Sequence, residues 1–416
     1  MLTNTCRVCR RPLFSLLDLG MMKLPWFPKA RDPNPIPEAP LHLMGCDECG
    51  LVQLSDTVEP DLLYRQYWYR SEINELMREE LTAIVKQALL HVSVFEADYV
   101  VDIGANDGYL LSQYPRQRAH WQSPRIAYEP AFNLKELCAR HCELLVNDYF
   151  PAGVAKREGI HHAAKIVTSI AMFYDLDDPR TFVEAIDHCL HEDGLWILQF
   201  QDLAQMVEAG AIDNVCHEHL TYWSLASFCW FLGHTGLDLH VVHAERRAIN
   251  GGSLRIHVRR KLWPAAATVE DLLNQELHSI GWAALGRFAW QADQMRNQVQ
   301  GLVQRANDAG YTIDLYGAST KASTLLQYCG LSHEQIRCAW ERNAEKFGRV
   351  TATGIPIVDE AAGRRIPPEL LLVGIWQFRE LILEREEAFV AGGGRLLFPL
   401  PEVELVHGDT PTSARL

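Results

Sequence analysis

Apolar and polar residues alternate along much of this chain in the pattern of buried strands that are followed by amphipathic helices. Between residues 67 and 252, five short apolar segments predict strands: 99–104, 125–129, 143–147, 165–169 and 195–200. Amphipathic runs with helical spacing lie between them, for example over 72–91 and 182–191. This alternation predicts a mainly parallel sheet that has helices on both faces.

The pattern starts again after residue 252. A long helical stretch over about 268–310 precedes four strand-like runs at 312–316, 336–340, 370–375 and 395–399. These runs predict a second, Rossmann-like α/β unit. Residues 1–66 are rich in proline and poor in helical periodicity, so they cannot build much of a core alone. We therefore expect an α/β protein with three domains: 1–66, 67–252 and 253–416.

Composition narrows the class of protein. A chain of 416 residues is too long for one ordinary core, and its 48% apolar content is that of a globular protein. A formal net charge of −14 argues against non-specific nucleic-acid binding, which needs a basic surface. The sequence has neither a run of eighteen apolar residues nor a secretory signal at its start. Eleven cysteines in such a chain predict reduced thiols in the cytoplasm.

Four of those cysteines are paired in the N-terminal segment. Cys6 and Cys9 form one Cys-x-x-Cys, and Cys46 and Cys49 form a second. Two such pairs supply the four thiolates that structural zinc prefers, and a metal would stabilise a segment that lacks a core. Four unligated buried thiols are the alternative. Because a structural zinc site has all four positions filled by protein, we expect no catalysis there.

The first predicted strand of the middle unit runs into an acidic residue and a glycine-spaced turn. The turn has the spacing Gly-x-x-x-Gly, which differs from the Gly-x-Gly-x-x-Gly of dinucleotide sites. Glycines allow a tight turn and a close approach of ligand to backbone. The candidate cofactor residues here are Asp102, Gly104, Asn106 and Gly108.

Further polar residues fall near the ends of the following strands. Glu129 ends the second strand, where a carboxylate can accept hydrogen bonds from both ribose hydroxyls of an adenosine ligand. Asp148 and Ser169 lie near two other strand ends, and ligands bind beyond such ends in parallel sheets. Together these residues resemble the S-adenosylmethionine site of a class I methyltransferase. A structural strand-turn-helix with an incidental acid is the alternative.

The segment His217-Glu218-His219 has three possible interpretations. Two histidines and a carboxylate could bind a metal, although no third ligand is obvious and the spacing is not that of His-Glu-x-x-His. A histidine near neutral pKa could instead take a proton from a carbon next to a carbonyl, with the glutamate orienting it. Structural hydrogen bonds of two half-buried histidines are the third interpretation.

Other candidate residues are aromatic or basic. Tyr67, Tyr69 and Arg70 lie where the cysteine segment joins the α/β unit, and they could wall a substrate cleft or only pack. Lys321 follows a strand and a small-residue turn, where backbone N–H groups and a cation could bind phosphate. Lys346 lies in a charged stretch near another strand end, which could bind a diphosphate or could be a solvated loop.

The order of these motifs is informative. The cysteine pairs, the 102–108 loop, the 217–219 segment, the 250–255 segment and the 316–321 segment follow one another along nearly the whole chain. This order resembles the three-domain C-methyltransferases of nucleotide-linked deoxysugars, which have an N-terminal zinc-binding domain. The resemblance implies that S-adenosylmethionine binds the middle domain. It also implies that a dTDP-linked 4-keto sugar binds between the middle and C-terminal domains and is methylated at C3.

The resemblance further implies a role for each residue. His219 is the general base, with Glu218 beside it in the active site. The 102–108 loop holds the cofactor, Glu129 meets the ribose, and residues 67–71 help to enclose the substrate. His219 would remove the C3 proton that the C4 ketone acidifies, and the resulting enolate carbon would take the methyl group. Cys216 stands where the sugar enzymes of the family have a tyrosine.

Two other functions remain open on the same scaffold, namely an O- or N-methyltransferase and a non-catalytic binding protein. We expect the cofactors S-adenosylmethionine and structural Zn²⁺, and a small-molecule substrate, a nucleotide sugar in the first place. We expect neither a nucleic-acid partner nor a membrane partner, and a monomeric chain.

Overall fold

The computed structural model of the protein describes residues 4–95, 98–115, 124–151, 161–260 and 266–408. Its strands are β1 (Phe14–Lys23), β2 (Glu38–Gly45), β3 (Val52–Leu54), β4 (Tyr99–Ile103), β5 (Arg125–Tyr128), β6 (Leu144–Val146), β7 (Ala164–Ile170), β8 (Leu190–Gln201), β9 (Thr221–Tyr222), β10 (Leu239–Arg247), β11 (Ser253–Arg260), β12 (Ile313–Tyr316), β13 (Ala339–Glu341), β14 (Ile357–Asp359), β15 (Leu370–Val373), β16 (Arg395–Phe398) and β17 (Glu404–Val406). Its α-helices are α1 (Pro60–Tyr64), α2 (Glu75–His91), α3 (Tyr109–Ser112), α4 (Lys135–Cys138), α5 (Pro179–Cys189), α6 (Leu203–Glu208), α7 (Leu225–Gly233), α8 (Ala267–Ser279), α9 (Trp282–Asp308), α10 (Thr320–Tyr328), α11 (Glu360–Gly363), α12 (Arg379–Arg385) and α13 (Glu387–Ala391).

Three sheets organise these elements. The first has the order β1-β2-β3-β9, the second β10-β11-β8-β7-β4-β5-β6 and the third β14-β13-β12-β15-β16-β17. In the second sheet, β6, β5, β4, β7 and β8 are parallel, whereas β11 and β10 are added antiparallel. The predicted α/β fold class is confirmed, and each predicted strand of the middle unit is present.

Two strands cross the domain limits that we expected. β11 pairs with β8, so the second sheet continues to Arg260, beyond the expected limit at residue 252. β9 leaves the middle part of the chain and pairs with β3 of the N-terminal sheet, with Val52 opposite Tyr222. The N-terminal sheet therefore takes an edge strand from the segment that directly follows His219.

The long helix expected over about 268–310 is two helices. α8 ends at Ser279, Ile280 and Gly281 have extended backbone, and α9 begins at Trp282. The two helices have different packing partners: α8 lies against α7 and β10, whereas α9 lies against α6, β1 and β12. One straight helix could not follow both surfaces, so the chain turns between them. Within the described ranges, no helix has the length and apolar character to cross a membrane.

A buried ion network fixes α2 on the second sheet. Arg255 of β11 is 2% exposed and donates to Glu80 of α2 over 2.6 Å, to Gln199 over 2.9 Å and to Gln87 over 2.8 Å. Arg247 donates to the second oxygen of Glu80 over 2.8 Å. The aromatic segment 67–71 precedes α2 in the chain. By fixing α2, this network fixes the position at which that segment ends.

Loss of Arg255 alone is expected to destabilise the fold strongly. Arg255→Met leaves the carboxylate of Glu80 with only Arg247, and breaking a buried pair costs about 3–5 kcal/mol. Equilibrium urea denaturation, followed by tryptophan fluorescence, measures the free energy of unfolding. The double variant Glu80→Met/Arg255→Met should recover part of the loss, and Arg287→Met on exposed helix surface is the control. An effect of Arg255→Met no larger than that control would refute this role.

Candidate active site

The four cysteines come together in one cluster. Their sulfur atoms all lie within 4.8 Å of one another, with Cys6 and Cys49 3.5 Å apart and Cys9 and Cys46 3.3 Å apart. Each Cys-x-x-Cys pair lies in a turn of its own, and the two turns have the same backbone hydrogen bond. The N–H of Arg10 donates to the carbonyl of Cys6, as that of Gly50 does to Cys46.

This thiol set fits a structural zinc ion. Four sulfurs at Zn–S distances of about 2.3 Å lie roughly 3.8 Å apart on a tetrahedron, near the spacing seen here. In both turns the residue after the second cysteine has positive φ: 63° at Arg10 and 70° at Gly50. All four ligand positions come from protein, so the site leaves no coordination position for a substrate.

The cofactor loop begins where β4 ends. Gly104 and Gly108 have φ of 72° and 82°, and Asn106 has φ of 54°. A Cβ at Gly108 would lie 3.1 Å from the backbone of Cys138, so its lack of a side chain serves packing of the loop on α4. Asp102, at the base of the loop, is 3% exposed and accepts a hydrogen bond from the Thr168 hydroxyl over 2.6 Å. Burial raises the pKa of Asp102 to about 7.

Glu129 closes the loop from the end of β5. One carboxylate oxygen accepts the N–H of Asn106 over 2.7 Å and the other accepts that of Ala131 over 2.7 Å. Burial raises the pKa of Glu129 to about 7, although both backbone hydrogen bonds oppose that rise. Each carboxylate oxygen has a second lone pair, so this side chain can still accept hydrogen bonds from two ribose hydroxyls. The loop and this acid therefore fit the adenosine half of S-adenosylmethionine.

Two of the predicted cofactor residues, Asp148 and Ser169, contact other side chains and not the cofactor loop. Asp148 forms an ion pair with Arg65, with 3.1 Å between Nη2 and Oδ1, so it links the segment after α1 to the end of β6. Ser169 is fully buried, and its hydroxyl accepts the indole N–H of Trp196 over 2.9 Å. The Ser169 side chain thus belongs to the core beneath the sheet edge, and it does not present its hydroxyl to the loop.

The aromatic segment lies across the cofactor loop. The Asn106 side chain accepts the N–H of Ser71 over 3.0 Å and donates to the carbonyl of Tyr69 over 3.1 Å. Asn133 forms two hydrogen bonds with the backbone of Tyr67, at 3.0 Å and 2.9 Å. The two segments are therefore in direct contact, which the sequence did not predict. Asn106 achieves it with its side chain, while its backbone N–H serves Glu129.

Arg70 lies at the end of this segment. Its guanidinium is 3.6 Å from the carboxylate of Glu72, and its Nε is buried without a hydrogen-bond partner in the described parts of the chain. Arg70 therefore has a donor available at the edge of the aromatic segment.

His219 is held in a defined orientation. Its Nδ1 lies 2.9 Å from the carbonyl of Asn214, so Nδ1 carries the proton and Nε2 carries the lone pair. The Tyr174 ring packs edge-on against the imidazole, with 4.3 Å between ring centroids. Burial, and then the charge of Lys321, lower the pKa of His219 to about 3. The imidazole is uncharged at neutral pH and can accept a proton at Nε2.

The neighbouring residues of the segment diverge. Glu218 is 8% exposed, burial raises its pKa to about 7, and its backbone carbonyl accepts the Tyr64 hydroxyl over 2.8 Å. His217 faces the other way, with its Nε2 3.1 Å from the carbonyl of Ala39. Because the two histidines point to different carbonyls, they do not converge on one metal ion. In the parts of the chain that the structure describes, the cysteine set is the one group of this kind.

The two predicted cationic residues differ in their surroundings. Lys346 is 8% exposed; its ammonium donates to the carbonyl of Ala318 over 2.7 Å, pairs with Glu341 at 3.3 Å and lies over the Phe27 ring. These contacts make Lys346 an internal tie between domains. The Lys321 ammonium donates to the carbonyl of Asn250 over 2.7 Å, its one hydrogen bond among the described residues.

Sequence reasoning missed two residues beside His219. Asp213 and Asn214 lie in the short 3₁₀ turn Ile212–Asn214 and are 1% and 0% exposed. Neither side-chain atom of the Asn214 amide has a hydrogen-bond partner among the described residues. No spacing rule identifies such a residue. Its position directly before the 216–219 segment is the only signal in the sequence.

Neither of two cavities in the described chain is lined by a predicted site residue. A small cavity of about 20 Å³ lies between the ends of β7 and β8 and Asn250, and Tyr174, whose ring packs on His219, lines it. A larger groove of about 600 Å³ lies between α6, α8 and α9. We therefore place the candidate site by the contacts of His219, the cofactor loop and the aromatic segment and not by a cavity.

Three family models match the chain in the order of its three sheets. A zinc binding domain matches residues 6–64, a methyltransferase domain matches 69–242 and a C-methyltransferase C-terminal domain matches 248–401. Together with the fold and the cysteine set, these matches define an S-adenosylmethionine-dependent methyltransferase. More narrowly, the chain belongs to the three-domain C-methyltransferases, which combine an N-terminal zinc-binding domain with a C-terminal C-methyltransferase domain.

A curated relative agrees with this assignment. C-methyltransferase NovU of Streptomyces niveus is 28% identical over 385 residues, which cover 89% of this chain and 88% of that protein. Solved structures match only part of the chain. The 1,6-didemethyltoxoflavin-N1-methyltransferase of Burkholderia thailandensis has 16% identity and a TM-score of 0.33, covering 46% of this chain and 81% of its own. The N-methyltransferase NodS of Bradyrhizobium japonicum has 11% identity and a TM-score of 0.34, covering 45% and 98%.

Zinc removal is expected to act on stability. Cys46→Ser should lose bound zinc and melt several degrees lower, because metal affinity is coupled to folding of the N-terminal sheet. Differential scanning fluorimetry and metal analysis of the purified protein measure both effects. Cys229→Ser, outside the cluster, is the control. A zinc-free Cys46→Ser protein that melts like wild type would contradict this role.

The charge of Glu129 is expected to make cofactor affinity depend on pH. Its pKa of about 7 means that the ionised form, which accepts the ribose hydroxyls, is lost as pH falls below 7. The Kd for S-adenosylhomocysteine, measured by calorimetry, should rise about tenfold from pH 8 to pH 6. Glu129→Gln should bind more weakly and with little pH dependence. A wild-type Kd that is constant over this range would contradict the assignment.

Proposed function

We propose that this C-methyltransferase acts on C3 of a dTDP-linked 4-keto deoxysugar, with His219 as the general base. The observation that carries the proposal is the hydrogen bond from His219 Nδ1 to the carbonyl of Asn214. It leaves Nε2 of a neutral, half-buried imidazole as a proton acceptor. A carbon nucleophile needs such a base, because its proton must be removed before the carbon can take a methyl group.

The surrounding residues support this chemistry. S-adenosylmethionine, when bound, supplies an electrophilic methyl group, and we propose that the loop of Gly104, Asn106 and Gly108, with Glu129, holds it. The aromatic segment lies across that loop by way of Asn106, which favours a cleft closed to water above the cofactor. Closure of that kind aligns the carbon and the methyl group and protects an enolate from protonation by solvent.

The substrate class rests on the resemblance of the whole chain to the nucleotide-sugar enzymes. The polar side chains beside His219 are consistent with a ligand that carries hydroxyl and carbonyl groups. Glu218 lies next to the base, and Tyr67, Tyr69 and Arg70 bound the cleft at the aromatic segment. We propose Lys321 as the cation that reaches the substrate, whereas the contacts of Lys346 fit an internal role.

The limits of the three domains also belong to this proposal. We propose a zinc-binding domain over 1–66, a methyltransferase domain over 67–252 and a substrate-binding domain over 253–416, joined by the crossing strands β9 and β11. We also propose that the protein acts as a monomer.

A hydrogen-exchange experiment tests the base. The protein and S-adenosylhomocysteine are incubated with a dTDP-linked 4-keto deoxysugar in heavy water, and deuterium at C3 is followed by NMR. Wild type should exchange this proton, and His219→Asn should exchange it at least about a hundredfold more slowly, since general base catalysis supplies about that much.

The control variant is His240→Asn, whose half-buried imidazole lies on β10 and pairs with Asp238. It should exchange like wild type, and both variants should bind S-adenosylhomocysteine with unchanged affinity. Full exchange in His219→Asn would remove His219 from this role. Absence of exchange in wild type, together with methyl transfer to oxygen or nitrogen, would favour the other class of methyltransferase.

A further inference from the structure

Lys321 is placed by the packing of α10 on the turn that carries the base. Thr324 of α10 donates its hydroxyl to the carbonyl of Val215 over 3.1 Å, so α10 lies directly on the 212–215 turn. Lys321 precedes Thr324 by one helical turn and therefore shares this face of the helix. Its ammonium reaches across to the carbonyl of Asn250 over 2.7 Å.

The backbone at Gly251 approaches this ammonium closely. Gly251 has φ of 84°, and a Cβ built there would lie 3.9 Å from Lys321 Nζ and 3.9 Å from the Trp376 ring. Asp213 accepts the indole N–H of Trp376 over 2.8 Å with one oxygen, while its other oxygen has no partner in the described chain. Among the described residues, only one of the three ammonium donors of Lys321 has an acceptor.

Asn214 lies on the turn that α10 contacts. It is fully buried, and both of its side-chain polar atoms are unpartnered within the described residues. A buried amide without hydrogen bonds destabilises the fold, which is explained if a ligand satisfies it. The carbonyl of the same residue holds the imidazole of His219. One residue thus positions the base with its backbone and offers an unused donor with its side chain.

We propose that Lys321 Nζ and Asn214 Nδ2 form an oxyanion subsite, which holds the carbonyl oxygen of the carbon acid whose proton His219 removes. This inference rests on the proposed function. The C–H bond breaks and an N–H bond forms at His219 Nε2. The electron pair moves through the new C=C bond onto the carbonyl oxygen, and the enolate oxygen receives hydrogen bonds from the two donors.

Electrostatics favour an enolate over a phosphate at this position. A cation beside the base disfavours imidazolium, as the lowered pKa of His219 shows, unless an anion forms between the two. An enolate provides that anion at the moment when His219 gains its proton. A diphosphate would bring two or more negative charges to Lys321, whose ammonium already interacts with the buried carboxyl group of Asp213.

The test separates a role in the chemical step from a role in binding. Lys321→Met should slow deuterium exchange at C3 about a hundredfold at saturating dTDP-linked 4-keto sugar, the typical loss when one oxyanion donor is removed. Its Kd for S-adenosylhomocysteine and for dTDP alone, measured by calorimetry, should match wild type. Lys321→Arg keeps a charge and should retain a larger part of the exchange rate than Lys321→Met.

A second variant guards against loss of folding. Asn214→Leu keeps the backbone carbonyl that holds His219 and replaces an unsatisfied buried amide with an apolar group of similar size. Its melting temperature should equal or exceed that of wild type, while exchange at saturation falls at least about tenfold. A merely structural amide would show the opposite, with a lower melting temperature and a normal exchange rate.

The outcomes distinguish this inference from the function on which it rests. If wild type exchanges, His219→Asn does not and Lys321→Met exchanges like wild type at saturation, the oxyanion subsite is refuted and the base stands. If Lys321→Met weakens dTDP binding without slowing exchange, Lys321 is a phosphate contact and the subsite is likewise refuted. If wild type shows no exchange at all, it is the proposed function that fails.

Discussion

The hydrogen bond between His219 Nδ1 and the carbonyl of Asn214 is the contact on which the account of this enzyme depends. It fixes the tautomer of the imidazole, and a neutral tautomer with a free Nε2 is what proton abstraction requires. The carbonyl itself is held by the turn Ile212–Asn214, which Trp376 and Thr324 of the C-terminal part contact through Asp213 and Val215. The base is thus oriented by a segment that the C-terminal domain supports.

The N-terminal sheet supports the same segment from the other side. β9 follows His219 after one residue and pairs with β3, and the Tyr64 hydroxyl donates to the carbonyl of Glu218. The cysteine cluster anchors the sheet that contains β3. Zinc therefore acts at a distance from the chemistry: it stabilises the strand pairing that defines where the base lies. This arrangement explains why a metal domain without an open coordination site belongs to a methyl-transfer enzyme.

Much of this architecture could be predicted from the sequence, because strand–turn–helix alternation and cysteine spacing are local signals. The glycine-spaced loop after β4 and the acid at the end of β5 are such signals, because both lie where a predicted strand ends. A local sequence pattern does not show which way a side chain points at the end of a strand. Ser169 is an example, because its hydroxyl faces Trp196 in the core. Such a pattern also could not show that the ammonium of Lys346 donates to Ala318 and pairs with Glu341, since the first of these contacts joins residues that are 28 positions apart in the sequence. The amide of Asn214 left no pattern at all, because its importance lies in the partners it lacks.

The state of His219 itself gives the most direct test. Nitrogen-15 NMR of protein with labelled histidine reports the tautomer and the charge of the ring from pH 5 to pH 8. Comparison with the spectrum of His219→Asn identifies the His219 resonance. We predict an uncharged ring protonated at Nδ1 across this whole range, because burial and Lys321 lower its pKa to about 3. A ring that is protonated at Nε2, or an imidazolium near pH 6.5, would contradict it.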